Sequence, residues 1–138
     1  MYGDTSAIRA LATRLRERAD EIRGEADRLA VRAEQVPWQG VAADAMRHRA
    51  RDRAGALLRT AARHDDAADA LDRHAREVDR LQDLIASIER RVRRLLDPLQ
   101  PAVDRLVPDA LGGWLQDFDP PRPGSREWLG VDVPGLGR

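Results

Sequence analysis

The sequence predicts an all-α fold: an antiparallel helical hairpin with a long second helix, completed to a bundle by dimerisation or by short C-terminal helices. Three observations predict it. Charged residues make up 35% of the chain and aromatic ones 4%, while Ala, Arg, Asp, Glu and Leu dominate residues 5–97, the composition of a coiled coil or long helical bundle. Apolar residues in that stretch recur at steps of three and four, the period of a helix seam. The one sharp break is Pro37-Trp38-Gln39-Gly40, a connection so short that the helices on either side are expected to pack antiparallel.

Helix 1 is expected over residues 5–36. Thr5 or Ser6 suits the N-cap, with Asp4 near the positive end of the helix dipole. The seam reads Ile8, Leu11, Leu15, Ala19, Ile22, Ala26, Leu29, Ala33 and Val36, with one stutter after Leu15. Gly24 costs about 1 kcal/mol relative to Ala, tolerable in a helix of this length. Pro37 disfavours helical geometry at Val36 and ends the helix.

The turn occupies residues 37–40 and helix 2 runs over about 41–97, stopping before Pro98. Its seam reads Ala50, Ala54, Leu57, Ala61, His64, Ala68, Leu71, Ala75 and Val78, then rephases through Leu81, Ile85, Ile88, Val92, Leu95 and Leu99. At about 1.5 Å per residue, helix 1 spans roughly 48 Å and helix 2 roughly 85 Å, so the second overhangs the first from about Leu71 onward. Leu71, Val78, Leu81, Ile85, Ile88, Val92 and Leu95 thus form an apolar seam with no partner inside the hairpin. Such a stripe is expected to be buried by another chain or by the C-terminal segment folding back.

Residues 98–116 carry Val103, Leu106, Val107, Ala110, Leu111, Trp114 and Leu115 at helical spacing interrupted by Pro108, and read as a short helical segment. Residues 117–138 are Pro- and Gly-rich, with Phe118 and Trp128 as their aromatic anchors, and read as a flexible or loosely docked tail.

Composition excludes several function classes. The formal net charge is zero with both signs interspersed, so no basic face is expected to bind nucleic acid. All 24 non-His basic residues are Arg, and Cys is absent, which removes disulfide and thiolate chemistry. Met1-Tyr2-Gly3-Asp4 leads directly into a charged amphipathic stretch, so no cleaved signal peptide is expected. No apolar run approaches the length of a membrane span, and no stable membrane insertion is expected.

Nor does a catalytic constellation emerge. A Gly-rich phosphate loop, a His-Glu-x-x-His pair and a nucleophile elbow are all missing, so the expectation is a non-enzymatic protein with no cofactor and no metal. His48 lies among Arg47, Arg49 and Arg51 and reads as surface; His64 falls on the seam as a partly buried structural residue. His74 with Glu77 is at most half of a carboxylate-bridged metal site, which needs further ligands from other helices. Asp65, Asp66 and Asp69 read as surface charges pairing locally, for example Asp69 with Arg73 one turn on. Arg90, Arg91, Arg93 and Arg94 offset the negative end of the helix 2 dipole.

Trp38 is the residue that demands a role, because connections between helices are usually polar. It either plugs the end of the hairpin, with Gly40 supplying permissive backbone geometry, or it is an exposed anchor for a partner. In Trp38-Gln39-Gly40-Val41-Ala42-Ala43, followed by Met46, the chain resembles the WXG-type small helical-hairpin proteins of the type VII (ESX) secretion pathway. One amphipathic helix of roughly 30 residues before the turn agrees with that placement. The resemblance covers about residues 5–97.

The resemblance implies a protein-binding module exported folded, as a homodimer or as a heterodimer with a similar hairpin protein. Trp38 and Gly40 would then sit beside the partner's C-terminal signal, with the type VII secretion ATPase or a larger cargo as further partners. In such proteins the export signal is a Tyr, three residues, then Asp or Glu after helix 2. Tyr2 is the chain's one Tyr, and the nearest substitute is Trp128-Leu129-Gly130-Val131-Asp132, which makes Trp128 and Asp132 the candidate export signal. The expected location is secreted or cell-surface by a route without a signal peptide. The alternative is a cytoplasmic coiled-coil adaptor or chaperone-like protein.

Overall fold

The computed structural model describes residues 4–97 and 109–134. It is all-helical: α1 (Thr5–Gln35), the long α2 (Val41–Leu96), α3 (Asp109–Asp117) and a 3-10 turn at Arg126–Gly130. Among the described residues there is no strand, and no helix is long and apolar enough to cross a membrane. The chain divides into two compact units, Thr5–Arg76 and a second built on the residues from Glu77 onward, with α2 contributing to both.

In the first unit every buried residue is alanine. Ala12, Ala19, Ala26 and Ala33 of α1 and Ala43, Ala50, Ala54, Ala61, Ala68 and Ala75 of α2 are all buried. Alanine is the strongest helix former and carries only a Cβ, so it sustains long helices while letting two of them approach closely. Ile8, Leu15, Ile22 and Leu29 of α1 and Leu57, His64 and Leu71 of α2 flank this seam, half-buried.

This arrangement corrects the α1 seam. Ala12, not Leu11, occupies the inward position, and Leu11 is 41% exposed. The seam therefore runs Ile8, Ala12, Leu15, Ala19, Ile22, Ala26, Leu29 and Ala33, alternating four and three without a stutter. Weight given to the larger side chain produces the misreading: where helices approach this closely, the smaller neighbour goes in.

Charged pairs tie the two helices together. Arg16 Nη2 donates to Asp69 at 2.8 Å and to Asp72 at 2.7 Å, Arg23 pairs with Asp65, and Arg51 donates to Glu34 at 2.6 Å. Asp65 and Asp69 thus serve helix-to-helix pairing rather than the local pairing expected of them. The Asp69 and Asp72 carboxylates hold the Arg16 guanidinium above its ordinary pKa, chiefly by hydrogen bonding, and Asp65 does the same for Arg23.

The second unit has large side chains in its core. Ile85 and Val92 of α2, Leu111 of α3, Trp128 and Val133 are buried together, with Ile88, Leu95, Trp114, Leu115, Phe118, Leu129 and Val131 packed against them. Trp114 and Phe118 stack at 4.2 Å between ring centroids, and Phe118 meets Trp128 in a tilted contact at 6.3 Å.

The segment after α3 is ordered by specific turn chemistry. Arg122-Pro123-Gly124-Ser125 closes a turn with Ser125 N–H donating to Arg122 O at 3.0 Å and Gly124 at φ +70°. Pro at the second position and positive-φ Gly at the third are the demands of a type II turn. Ser125 then caps the 3-10 turn, its Oγ accepting from Glu127 N–H at 3.1 Å. Gly124 N–H also donates to the Glu89 carboxylate of α2 at 3.2 Å, and Trp128 Nε1–H to Arg122 O at 2.9 Å. The flexible tail expected over 117–138 is corrected accordingly: up to residue 134 it carries the largest fully buried side chain described, Trp128. Of the segment expected over 98–116, residues 98–108 lie outside the described residues.

Candidate functional site

The connection between α1 and α2 is the place where local sequence is least explained by packing. α1 stops at Gln35, one residue before Val36, whose geometry Pro37 restricts. Trp38 N–H donates back to Val36 O at 2.8 Å, and Gly40 takes φ +105°, a conformation that a side chain resists. Gly40 O then accepts from Asp44 N–H at 3.0 Å as α2 begins.

Arg47 closes this geometry from the first turns of α2. Its Nη2 donates to Trp38 O at 2.7 Å and Val36 O at 3.0 Å, and its Nε donates to Ala33 O at 3.3 Å. The last carbonyls of a helix have no partner inside it, and a guanidinium there also meets the negative end of the helix dipole. The Arg47 side chain is only 17% exposed, whereas Asp44, 3.6 Å from it, is 81% exposed.

Trp38 itself is 52% exposed. It is not a buried plug; its backbone is held at both N–H and C=O, and about half of the residue is open to solvent. Val36 and Val41 are exposed beside it in sequence, which makes the connection a small apolar tip on charged helices.

The other residues singled out by sequence divide differently from expectation. Leu71 lies half-buried in the first unit. In the second unit Val78 is buried and Leu81 half-buried. Ile85, Ile88, Val92 and Leu95, read as an interface seam, pack on the chain's own C-terminal segment. Trp128 is one of the residues covering them, at 2% exposure. The structure thus brings together the later part of the interface seam, from Ile85 to Leu95, and one half of the candidate export signal; only Asp132 of that signal is exposed.

Other polar candidates stay local. His48 is exposed, 3.5 Å from Asp52, and His64 Nδ1 lies 2.9 Å from Thr60 O one turn earlier on α2. Among the described residues no group of three or more His, Asp or Glu side chains is placed to hold a metal ion.

Arg47 is the residue of this candidate site that sequence reasoning missed. Its signal was present: Ala54, Ala61, Ala68 and Ala75 repeat every seven residues, and one repeat earlier stands Arg47. A charged residue at a position otherwise held by Ala marks the place where the seam gives way to the connection.

No family model, no curated protein and no solved structure matches the chain.

Proposed function

We propose that the chain is a non-enzymatic protein-binding module that presents Trp38 at the tip of an antiparallel helical hairpin, in the manner of the WXG-type partners of type VII secretion that it resembles. The observation that carries this reading is the 52% exposure of Trp38 on a backbone fixed at both ends. Trp is among the residues that dominate interface energetics, and here about half of it is left open to a partner.

The hairpin is supported by the order of its cross-helix pairs: Arg16 with Asp69 and Asp72, Arg23 with Asp65, Glu34 with Arg51. Along one face Ile8, Leu15, Ile22 and Leu29 are only half-buried, and Ile22 and Leu57 line an open groove. A second hairpin, from another copy or a related chain, would complete a four-helix bundle there. Because Trp128 is buried, a signal built on Trp128 and Asp132 is masked in the folded chain. This favours export together with a partner that carries its own signal.

The test is immunoblotting of cell and culture-filtrate fractions from the native host, with and without its type VII secretion ATPase, for wild type and Trp38→Ala. Wild type should reach the filtrate only with the ATPase, and Trp38→Ala should remain in the cells while melting at the wild-type temperature. Retention of wild type in both strains, with a control substrate exported, would replace this reading with that of a cytoplasmic adaptor.

A further inference from the structure

The geometry points to Arg47 as a positioning residue that pre-organises Trp38 for its partner. This rests on the reading of Trp38 as a recognition anchor. Three observations carry it. Arg47 spends its donors on backbone carbonyls on both sides of Pro37: Ala33 at 3.3 Å, Val36 at 3.0 Å and Trp38 at 2.7 Å. Its side chain is 17% exposed, so the arginine itself is packed against the connection and is not a freely moving surface arginine. It also occupies the position one repeat before Ala54, where the pattern calls for alanine, and a long side chain there is accommodated because α1 has ended.

The physical consequence follows from the shape of guanidinium. Its planar fork presents several N–H groups in fixed directions, whereas an ammonium offers one compact centre. One Nη2 bridging Val36 O and Trp38 O clamps the peptide carbonyls that flank Pro37 and Trp38, and Nε anchors the fork to the end of α1. Without it, the connection keeps the Trp38 N–H to Val36 O bond and loses the restraint on the Trp38 carbonyl. Binding then has to order the indole and its backbone, a cost that pre-organisation removes.

Nuclear magnetic resonance on the 15N-labelled full chain tests this directly, comparing wild type, Arg47→Met and Arg47→Lys. In wild type the Trp38 amide should show a rigid-backbone order parameter, about 0.85, and in Arg47→Met it should fall toward about 0.6 or below. The Trp128 indole signal should stay unchanged. Arg47→Lys, which keeps the charge but not the fork, should loosen Trp38 nearly as much. A rigid Trp38 in Arg47→Met overturns the proposal, and a rigid Trp38 in Arg47→Lys alone shows that charge, not the fork, does the positioning.

In the export assay Arg47→Met should lower the filtrate fraction about 3- to 10-fold, the loss expected for ordering one additional flexible element on binding. In a Trp38→Ala background it should have no further effect. An equal further loss there would assign Arg47 a role independent of Trp38 and overturn the proposal. Normal export of Trp38→Ala alone would instead remove the recognition reading, while the order parameters would still decide whether Arg47 fixes the connection.

Discussion

Ala19→Leu tests whether the first unit really is held by close helix approach. Ala19 is fully buried between α1 and α2, and leucine would add three carbons at that point. Two outcomes of opposite sign compete. If the helices stood at the spacing of a leucine seam, those carbons would fill available space and stabilise the unit by about 2 kcal/mol, at about 0.8 kcal/mol each. If the helices touch through alanine, the added carbons must push them apart, at a cost of about 1–3 kcal/mol. The second outcome is expected, because Ala12, Ala26 and Ala33 hold the same close approach on either side of it and resist local widening. For a unit of this size the melting point should fall by about 5–20 °C. The assay is urea and thermal denaturation by circular dichroism at 222 nm, with tryptophan emission read in parallel in a Trp38→Phe background so that Trp114 and Trp128 report the second unit's transition. Leu11→Ala serves as control: at 41% exposure it leaves no internal cavity and should cost no more than about 1 kcal/mol. A variant Ala19→Leu as stable as wild type, or more so, would refute the close-approach reasoning.

Trp128→Ala should cost the second unit about 3–5 kcal/mol, the range for truncating a buried aromatic; in a Trp38→Phe background Trp114 emission during denaturation reports it, and a cost below about 1 kcal/mol would mean that the C-terminal segment is not packed. Gly40→Ala should cost about 1–2 kcal/mol through backbone strain alone, because φ is +105° while an added Cβ would meet nothing within 4 Å; a wild-type urea midpoint for that variant would rule out the strained conformation. Stability should also depend on acid through Glu25 and Glu77, whose carboxyls are held below the ordinary value mainly by hydrogen bonds from Arg28 and Arg80. Because both bind protons less readily folded than unfolded, their contribution is present above the ordinary Glu range and is lost as pH falls through the lowered values. A Glu25→Gln/Glu77→Gln variant should therefore lose less of its melting point than wild type between about pH 7 and about pH 3, by a small margin that added salt reduces; identical slopes would exclude these two pairs as contributors.

The helices were legible in the sequence because propensity, period and breakers agree: an Ala-, Arg- and Leu-rich run ends at Pro37, and another starts at Val41. Which apolar residue faces inward was less legible. Leu11 and Ala12 are both compatible with a helical seam, and hydrophobicity ranks leucine first, while the spacing between helices, a tertiary property, selects alanine. The ordering of the segment after Asp117 was hidden for another reason. Pro and Gly enrichment signals disorder in bulk, but at Pro123-Gly124 the same residues are the two demands of a type II turn, and the turn delivers Trp128 to Ile85 and Val92. In the candidate site, Trp38 and Gly40 stood out by residue type alone, whereas Arg47 is one of 24 arginines and becomes visible only through its place in the seven-residue repeat.

A seam of alanines repeating every seven residues raises a problem of register, since sliding one helix by seven residues would again set alanine against alanine. Charge supplies part of the answer. A slip in one direction would bring Arg16 to Arg76 in place of Asp69 and Glu34 to Leu58 in place of Arg51, although Arg16 would still meet an acid at Asp79 and Arg23 at Asp72; in the other, Arg23 would meet Leu58 in place of Asp65 and Glu34 would meet Asp44, although Arg16 would still meet Asp65. Exposed pairs of this kind contribute only about 0–1 kcal/mol each, so on their own they bias the register weakly. The connection is the stronger constraint. A seven-residue slip displaces the helices by about 10 Å, and the five residues from Val36 to Gly40 already turn tightly enough to require positive φ at Gly40. Absorbing that displacement would mean unwinding about two helical turns and breaking all three Arg47 hydrogen bonds. The same short connection that exposes Trp38 therefore sets the register of the alanine seam, and substitutions at Arg47 or Gly40 are expected to affect both.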